Sequence, residues 1–96
     1  MGNEECERYQ KTIKGVETDI EIVPSALRHG KTAEDILSAF SKCVYDETLE
    51  SEPNKTLVVG YDTKANLIEV IMHVISDEHI VVLHAMNCRN VYRDKI

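Results

Sequence analysis

The sequence contains no tryptophan and a single phenylalanine among its 96 residues, so isoleucine, valine and leucine must fill most of the core. No apolar run approaches the roughly 20 residues that a membrane-spanning helix needs. No basic segment followed by an apolar one opens the chain, so no secretion signal is expected. The length and the 43% hydrophobic content favour one folded domain over residues 1–96 rather than a disordered chain.

Cysteine is scarce and odd in number. Cys6, Cys43 and Cys88 are widely spaced, and no Cys-x-x-Cys pair occurs. This pattern argues against a zinc site and against a disulfide framework, and it favours a reducing cytoplasm. Cys88 adjoins Arg89, and a neighbouring cation can lower the pKa of a thiol.

Basic residues are fewer than acidic ones, and the formal net charge is -6. This negative charge argues against broad electrostatic attraction to nucleic acid. The imbalance is uneven along the chain. Residues 46–52 contain four acidic side chains and no basic one, whereas residues 89–95 contain three basic and one acidic. The basic end can hold one or two phosphates or meet an acidic partner. The acidic stretch is a solubility feature or a shield for that end.

The first half of the chain favours helices. Residues 3–14 are polar and helix-compatible, so residues 1–18 are expected to form a peripheral or frayed extension. A short strand at 20–23 follows. Thr32 and Asp35 then form a capping-box pair ahead of the apolar stripe of Ile36, Leu37 and Phe40, which predicts the clearest helix.

The second half favours strands at 56–61, 67–75 and 80–86, joined by turns at 62–66 and 77–78. Such short connections require antiparallel neighbours. The expected fold is therefore α+β, with N-terminal helices packed on one face of an antiparallel meander and a short helical tail at the C-terminus. Val44, Tyr45 and Leu49 allow one more strand before an acidic, proline-containing loop.

A two-residue loop at 77–78 sets a register in which Ile75 faces Ile80 and His84 faces Ile71. The two faces of the hairpin then differ in polarity. One is wholly apolar and should pack against the helices: Ile68, Val70, Met72, Val74, Val81, Leu83 and Ala85. The other is mixed: Glu69, Ile71, His73, Ile80, Val82, His84 and Met86.

His84 is the leading candidate for proton transfer, because imidazole exchanges protons near neutral pH and strand ends often carry polar chemistry. Glu69 lies diagonal to it and can orient the ring. Arg89 and Arg93 can clamp a phosphate, and Tyr92 can stack on a base or donate a proton. The structural alternatives are a half-buried strand histidine, a solvated tail and a tyrosine packed on the sheet.

Arg28 and His29, with Lys31, form a second small basic patch that could also contact phosphate. The alternative is a helix-end feature, since cations favour a helix C-terminus. A metal site from Glu69, His73 and His84 is geometrically conceivable, but no close His/Cys ligand spacing supports it, so no metal and no cofactor are expected.

Several motifs occur in an order typical of one family, whose pattern runs from about Ile20 to Arg93. Its markers are Arg28-His29-Gly30, Thr-Ala-Glu-Asp-Ile-Leu at 32–37, Lys-Thr-Leu-Val-Val-Gly-Tyr-Asp at 55–62, Asn-Leu-Ile-Glu-Val at 66–70 and Val-Leu-His-Ala-Met at 82–86. Together they resemble the small BrnT/RelE-type toxins of bacterial toxin–antitoxin pairs, in a branch whose last strand ends in His-Ala-Met.

The resemblance implies a RelE-like fold and a metal-independent endoribonuclease that acts on mRNA, either free or on the ribosome. It also implies a neutralising antitoxin partner and oligomeric complexes, and it leaves a homo-oligomer open. Toxins of this kind usually carry arginines directly after the alanine of the last strand, where this chain has Met86 and Asn87. The rival hypothesis is therefore a non-catalytic interaction module on the same fold, with Ile71, Ile80, Val82 and Met86 forming an open face for a partner segment.

Overall fold

A computed structural model describes residues 19–49, 55–76 and 79–96. The predictions for the extension at 1–18, for most of the acidic loop and for the turn at 77–78 fall outside these described residues.

The described residues form a five-stranded sheet, two α-helices and one 3₁₀ turn, which confirms the α+β class. The elements are β1 (Asp19–Ile22), the 3₁₀ turn (Pro24–Leu27), α1 (Ala33–Ser41), β2 (Cys43–Thr48), β3 (Lys55–Tyr61), β4 (Leu67–Ser76), β5 (His79–Asn87) and α2 (Asn90–Arg93).

The strand order across the sheet is β1-β5-β4-β3-β2. Strands β2 to β5 form an antiparallel meander, as expected from their short connections. Strand β1 instead pairs in parallel with β5, from Asp19 beside His79 to Ile22 beside Val82. The sheet is therefore mixed rather than purely antiparallel. A parallel pair needs a long connection, and here most of the chain lies between the two strands.

Helix α1 begins as predicted. The Thr32 hydroxyl accepts the Asp35 amide at 3.1 Å, and the Asp35 carboxylate accepts the Thr32 amide at 3.0 Å, so both arms of the capping box are present. Ile36 and Phe40 are buried against the sheet, whereas Leu37 is 36% exposed. The predicted apolar stripe is thus correct except at Leu37.

Gly60 permits the close approach of α1 to β3. A Cβ atom at this position would collide with the backbone carbonyl of Ala39 in the helix. The glycine therefore sets the spacing between helix and sheet.

The sheet is covered on both faces. On the helix face, α1 and the 3₁₀ turn pack over a core that contains Ala26, Phe40, Val70, Met72 and Val82. On the opposite face, here called the tail face, the C-terminal segment (residues 88–96) places Cys88 and Tyr92 over a smaller cluster. The strand residues of that smaller cluster are Val44, Tyr45, Leu57, Val59, Leu67 and Ile71.

The predicted β4–β5 register is correct at the site and wrong towards the turn. Ile71 pairs with His84 as predicted, but Ile80 pairs with Val74 rather than Ile75. Two irregularities interrupt the ladder, and one leaves Leu83 as an extra residue in β5. Such a bulge reverses the alternation of side chains along the strand.

The bulge overturns the predicted placement of four residues. Ile80 and Val82 were predicted on the tail face but lie in the helix-face core, while Val81 and Leu83 were predicted for that core but are only half-buried. The open face of the rival hypothesis therefore loses Ile80 and Val82, and the C-terminal segment covers part of what remains.

A polar network joins α1 to the β3–β4 turn. The Asp35 carboxylate accepts bonds from the Thr63 hydroxyl at 2.6 Å and the Thr63 amide at 3.1 Å. Asp62, which is 1% exposed, accepts the Lys64 and Asn66 amides and the Lys31 ammonium. The bonds to Asp35 lower its pKa, and the Thr63 hydroxyl contributes most. Burial alone would raise the pKa of Asp62, but the hydrogen bonds that it accepts outweigh this effect and lower its pKa overall.

Two further findings bear on the cysteine and membrane predictions. Cys43 is disulfide-bonded, so the expectation against disulfides is wrong at this residue. Cys88 is a free, buried thiol. Within the described residues, no helix is long and apolar enough to cross a membrane.

Candidate functional site

Glu69 is the centre of a polar cluster on the tail face. Its side chain is fully buried, and its carboxylate accepts four hydrogen bonds. Oε1 accepts the Arg89 amide and Nε, each at 3.0 Å, and Oε2 accepts Arg89 Nη2 at 2.8 Å. His84 Nε2 lies 3.2 Å from Oε2. A buried carboxylate is costly unless it is paired and hydrogen-bonded, and here every lone-pair region has a donor.

The sheet register places His84 beside Glu69. Glu69 pairs with Met86 and Ile71 pairs with His84, so the imidazole and the carboxylate are diagonal neighbours on one face. The prediction that Glu69 orients His84 is consistent with their contact, which leaves the His84 side chain 27% exposed.

Arg89 reaches Glu69 because the chain turns across the tail face after β5. The Cys88 amide donates to the Leu67 carbonyl at 3.0 Å and extends the ladder by one bond. The next amide, that of Arg89, then points into the carboxylate. The bond to Glu69 raises the pKa of the Arg89 guanidinium.

Arg89 was predicted as a phosphate ligand, and the structure gives much of its hydrogen-bonding capacity to Glu69. Its side chain nevertheless remains 50% exposed. The guanidinium carbon lies 5.4 Å from the centre of the Tyr92 ring, within the range of a cation–π contact. Tyr92 therefore contacts Arg89 in the cluster, and its ring also packs on the sheet.

His29 also belongs to this cluster, although the sequence pattern placed it in a separate patch. Its ring centroid lies 5.7 Å from that of His84, with an interplanar angle of 68°. The 3₁₀ turn brings it there: Ala26 is buried in the core, and Gly30, at φ 81°, redirects the chain towards α1. We call His29, Glu69, His84, Arg89 and Tyr92 the site cluster.

The remaining predicted residues lie apart. Within the described part of the chain, no hydrogen bond or ion pair joins Arg28 to the site cluster, and Lys31 is held by Asp62. Arg93 is exposed, and its Nε donates to the Cys88 carbonyl at 3.0 Å. The proposed phosphate pair is thus one arginine bound to Glu69 and one that braces the C-terminal segment.

The C-terminal segment is anchored at its far end as well. Lys95 Nζ lies 2.9 Å from the Glu47 carboxylate, which also accepts the Tyr45 hydroxyl at 3.1 Å. The pKa of Glu47 is lowered, chiefly by the Lys95 bond. One residue of the acidic stretch therefore does pair with the basic end, as the shielding interpretation suggested.

Two other sequence hypotheses change. The thiol of Cys88 has a raised pKa because it is buried, and Arg93 and Arg89 only partly oppose that effect, so the expected lowering is wrong. His73 pairs across the sheet with Lys55 and Val81, and the Leu83 bulge separates it from His84. Among the described residues, no group of three or more histidine, cysteine, aspartate or glutamate side chains could hold a metal.

The site cluster thus offers two imidazoles, one held by a buried carboxylate, beside a half-exposed guanidinium and a phenol ring. Such a set can transfer protons and hold an anion. No family model matches this chain, and no curated protein does. The resemblance to BrnT/RelE-type toxins therefore stays a prediction.

Proposed function

We propose that this chain is the toxin component of a toxin–antitoxin pair with a RelE-like fold, and that it is a metal-independent endoribonuclease acting on mRNA. The observation that carries the proposal is the assembly of His84, Glu69 and Arg89 at one place on the tail face, with Tyr92 beside them. The motifs that suggested the family contain His84 and Glu69, whereas Arg89 and Tyr92 follow the last of those motifs.

RNA can be cleaved without a metal because its 2′-hydroxyl is an internal nucleophile. The reaction needs a group that takes the 2′-hydroxyl proton, cations that stabilise the phosphorane and an acid for the leaving oxygen. His84 is the proton-transfer residue and Glu69 its positioning residue. The exposed part of Arg89, together with Arg93, holds the phosphate, and Tyr92 stacks on a base or donates a proton.

The same proposal covers partners and location. A cognate antitoxin would neutralise the protein in the bacterial cytoplasm, and the RNA would be met free or on the ribosome. The net charge of -6 makes general attraction to RNA weak, so recognition would depend on the local basic groups around the site.

The test is expression with and without the product of the adjacent gene, together with cleavage assays on purified protein. We expect wild-type protein to arrest growth and to cleave RNA with 2′,3′-cyclic phosphate ends. A single 2′-deoxy substitution at the cleaved linkage should abolish cleavage. His84→Gln should reduce the rate about 100-fold or more, whereas the matched His79→Gln, at the outer end of β5, should not. Growth arrest that survives His84→Gln would refute the site assignment.

A second function is favoured by a separate observation, namely that Glu69 already engages Arg89 through its amide and its guanidinium. In that case the cluster is structural and the chain is a non-catalytic interaction module. Harmless expression, intact RNA and tight binding to the neighbouring gene's product would support this alternative over the ribonuclease.

A further inference from the structure

We infer that His29 is the second proton-transfer residue of the site, acting as the general acid while His84 acts as the general base. This inference rests on the proposed ribonuclease function and deepens it, since the sequence pattern assigned His29 to phosphate contact in a separate patch.

The geometry that carries the inference is the contact between the two imidazole rings. Their centroids are 5.7 Å apart, and the rings meet edge to face at 68°. One phosphodiester can touch both rings at this separation, because each hydrogen bond from nitrogen to oxygen spans roughly 3 Å. Both side chains also reach solvent, since His29 is exposed and His84 is 27% exposed.

The backbone holds His29 in this place. Ala26 is fully buried and fastens the 3₁₀ turn to the core. The Arg28 amide donates to the Ser25 carbonyl and the Gly30 amide to the Leu27 carbonyl, which closes the turn around His29. On its far side, Lys31 is tied to the buried Asp62 at 3.2 Å. The ring is therefore carried by a segment that is anchored at both ends.

The hydrogen bonds distinguish the roles of the two histidines. His84 Nε2 lies 3.2 Å from Glu69 Oε2. An ionised carboxylate can only accept a hydrogen bond, so the tautomer that fits this contact carries its proton on Nε2 and leaves Nδ1 as the proton acceptor. The carboxylate also stabilises the imidazolium that forms. Among the residues that the structure describes, no carboxylate forms a hydrogen bond or ion pair with His29, and its side chain is exposed to solvent. Among the described residues, His84 contacts Glu69 from β4 and His29 from the turn, and Glu69 in turn binds Arg89 after β5.

The step balances without another reactant. The 2′-oxygen forms a bond to phosphorus while the bond from phosphorus to the 5′-oxygen breaks. The 2′-hydroxyl proton passes to His84 Nδ1, and a proton from the His29 imidazolium passes to the departing 5′-oxygen. The products are a 2′,3′-cyclic phosphate and a 5′-hydroxyl end.

The experiment compares two RNA oligonucleotides that differ at the linkage cleaved by the wild-type protein. One carries the natural 5′-oxygen, and the other carries sulfur at that position, which leaves as a thiolate without protonation. The His29→Gln variant should cleave the natural linkage about 100- to 10,000-fold more slowly than wild type. On the sulfur linkage, its cleavage rate should return to within about tenfold of the wild-type rate. The His84→Gln variant should cleave both oligonucleotides slowly, and the control variant His79→Gln should cleave both at the wild-type rate.

Three outcomes would overturn the inference. If His29→Gln cleaves the natural linkage at the wild-type rate, His29 transfers no proton. If it is equally impaired on both linkages, His29 binds substrate or supports the fold instead of acting as the acid. If wild-type protein cleaves neither substrate, the ribonuclease proposal itself fails and the inference falls with it, a result distinct from the other two.

Discussion

Glu69 shows how one residue determines the electrostatics of the whole site. A carboxylate that is shielded from water needs hydrogen-bond donors within the protein. For Glu69, the donors are the amide and guanidinium of Arg89 and the imidazole of His84. The same four bonds position the imidazole and hold the guanidinium near Tyr92. Structural stability and any proton transfer therefore depend on the same atoms.

Removing Arg89 should destabilise the fold more than removing an ordinary surface arginine. Arg89→Ala leaves a buried carboxylate short of two side-chain bonds and should lower the free energy of unfolding by about 3 kcal/mol. The double variant Glu69→Leu/Arg89→Met removes both charges and should recover most of that loss. Urea denaturation measures both. A double variant as unstable as the sum of its single variants would contradict this account.

His84 and Glu69 could be paired from the sequence because a strand side chain reaches its diagonal neighbour whenever the register is known. The role of Leu83 could not be foreseen. Ile80, Val81, Val82 and Leu83 are all apolar, so either phase of alternation fits them, and an extra residue leaves no mark in the pattern. Nor could the partners of His29 and Arg89 be predicted, since both are brought to the site by irregular backbone.

At the level of elements, α1 and β3 approach closely enough that their backbones nearly touch. The capping box of α1 was readable from Thr32 and Asp35, because that motif is local. The close approach of the helix at Gly60 could not be predicted from the sequence, since a glycine in a strand can equally indicate a bulge or a turn.

The two described glycines provide a matched pair of variants for this contact. Gly60→Ala places a Cβ atom against the Ala39 carbonyl and should cost about 3 kcal/mol of stability, because neither backbone can move freely. Gly30→Ala meets no atom but must adopt φ 81°, which should cost about 1 kcal/mol. Thermal or urea unfolding of the two variants should preserve this order, and equal losses would show that helix packing is looser than described.

At the scale of the whole molecule, the network around Asp35 ties α1 to the β3–β4 turn. Its bonds lower the pKa of Asp35 in the folded state, with the Thr63 hydroxyl contributing most. A group with a depressed folded pKa stabilises the fold above its unfolded pKa, and that contribution is lost as the pH falls through the folded value.

Asp35→Ala should therefore be destabilised most at neutral pH, by about 1–2 kcal/mol, because it loses the cap and the Thr63 bonds. The difference from wild type should shrink as the pH falls towards about 2. Glu34→Gln, at an exposed neighbouring position, serves as the control and should change little. Denaturant titrations across this range measure the effect, and a difference that stays constant with pH would contradict it.

The parallel pairing of β1 with β5 has a consequence for when the site cluster can form. It joins the first and last described strands, so β1 finds its partner only after β5 has been synthesised. The turn that carries His29 follows β1 directly, and His84 lies on β5. The two histidines can therefore come together only after β5 has left the ribosome, and a nascent chain that ends before β5 lacks the pair.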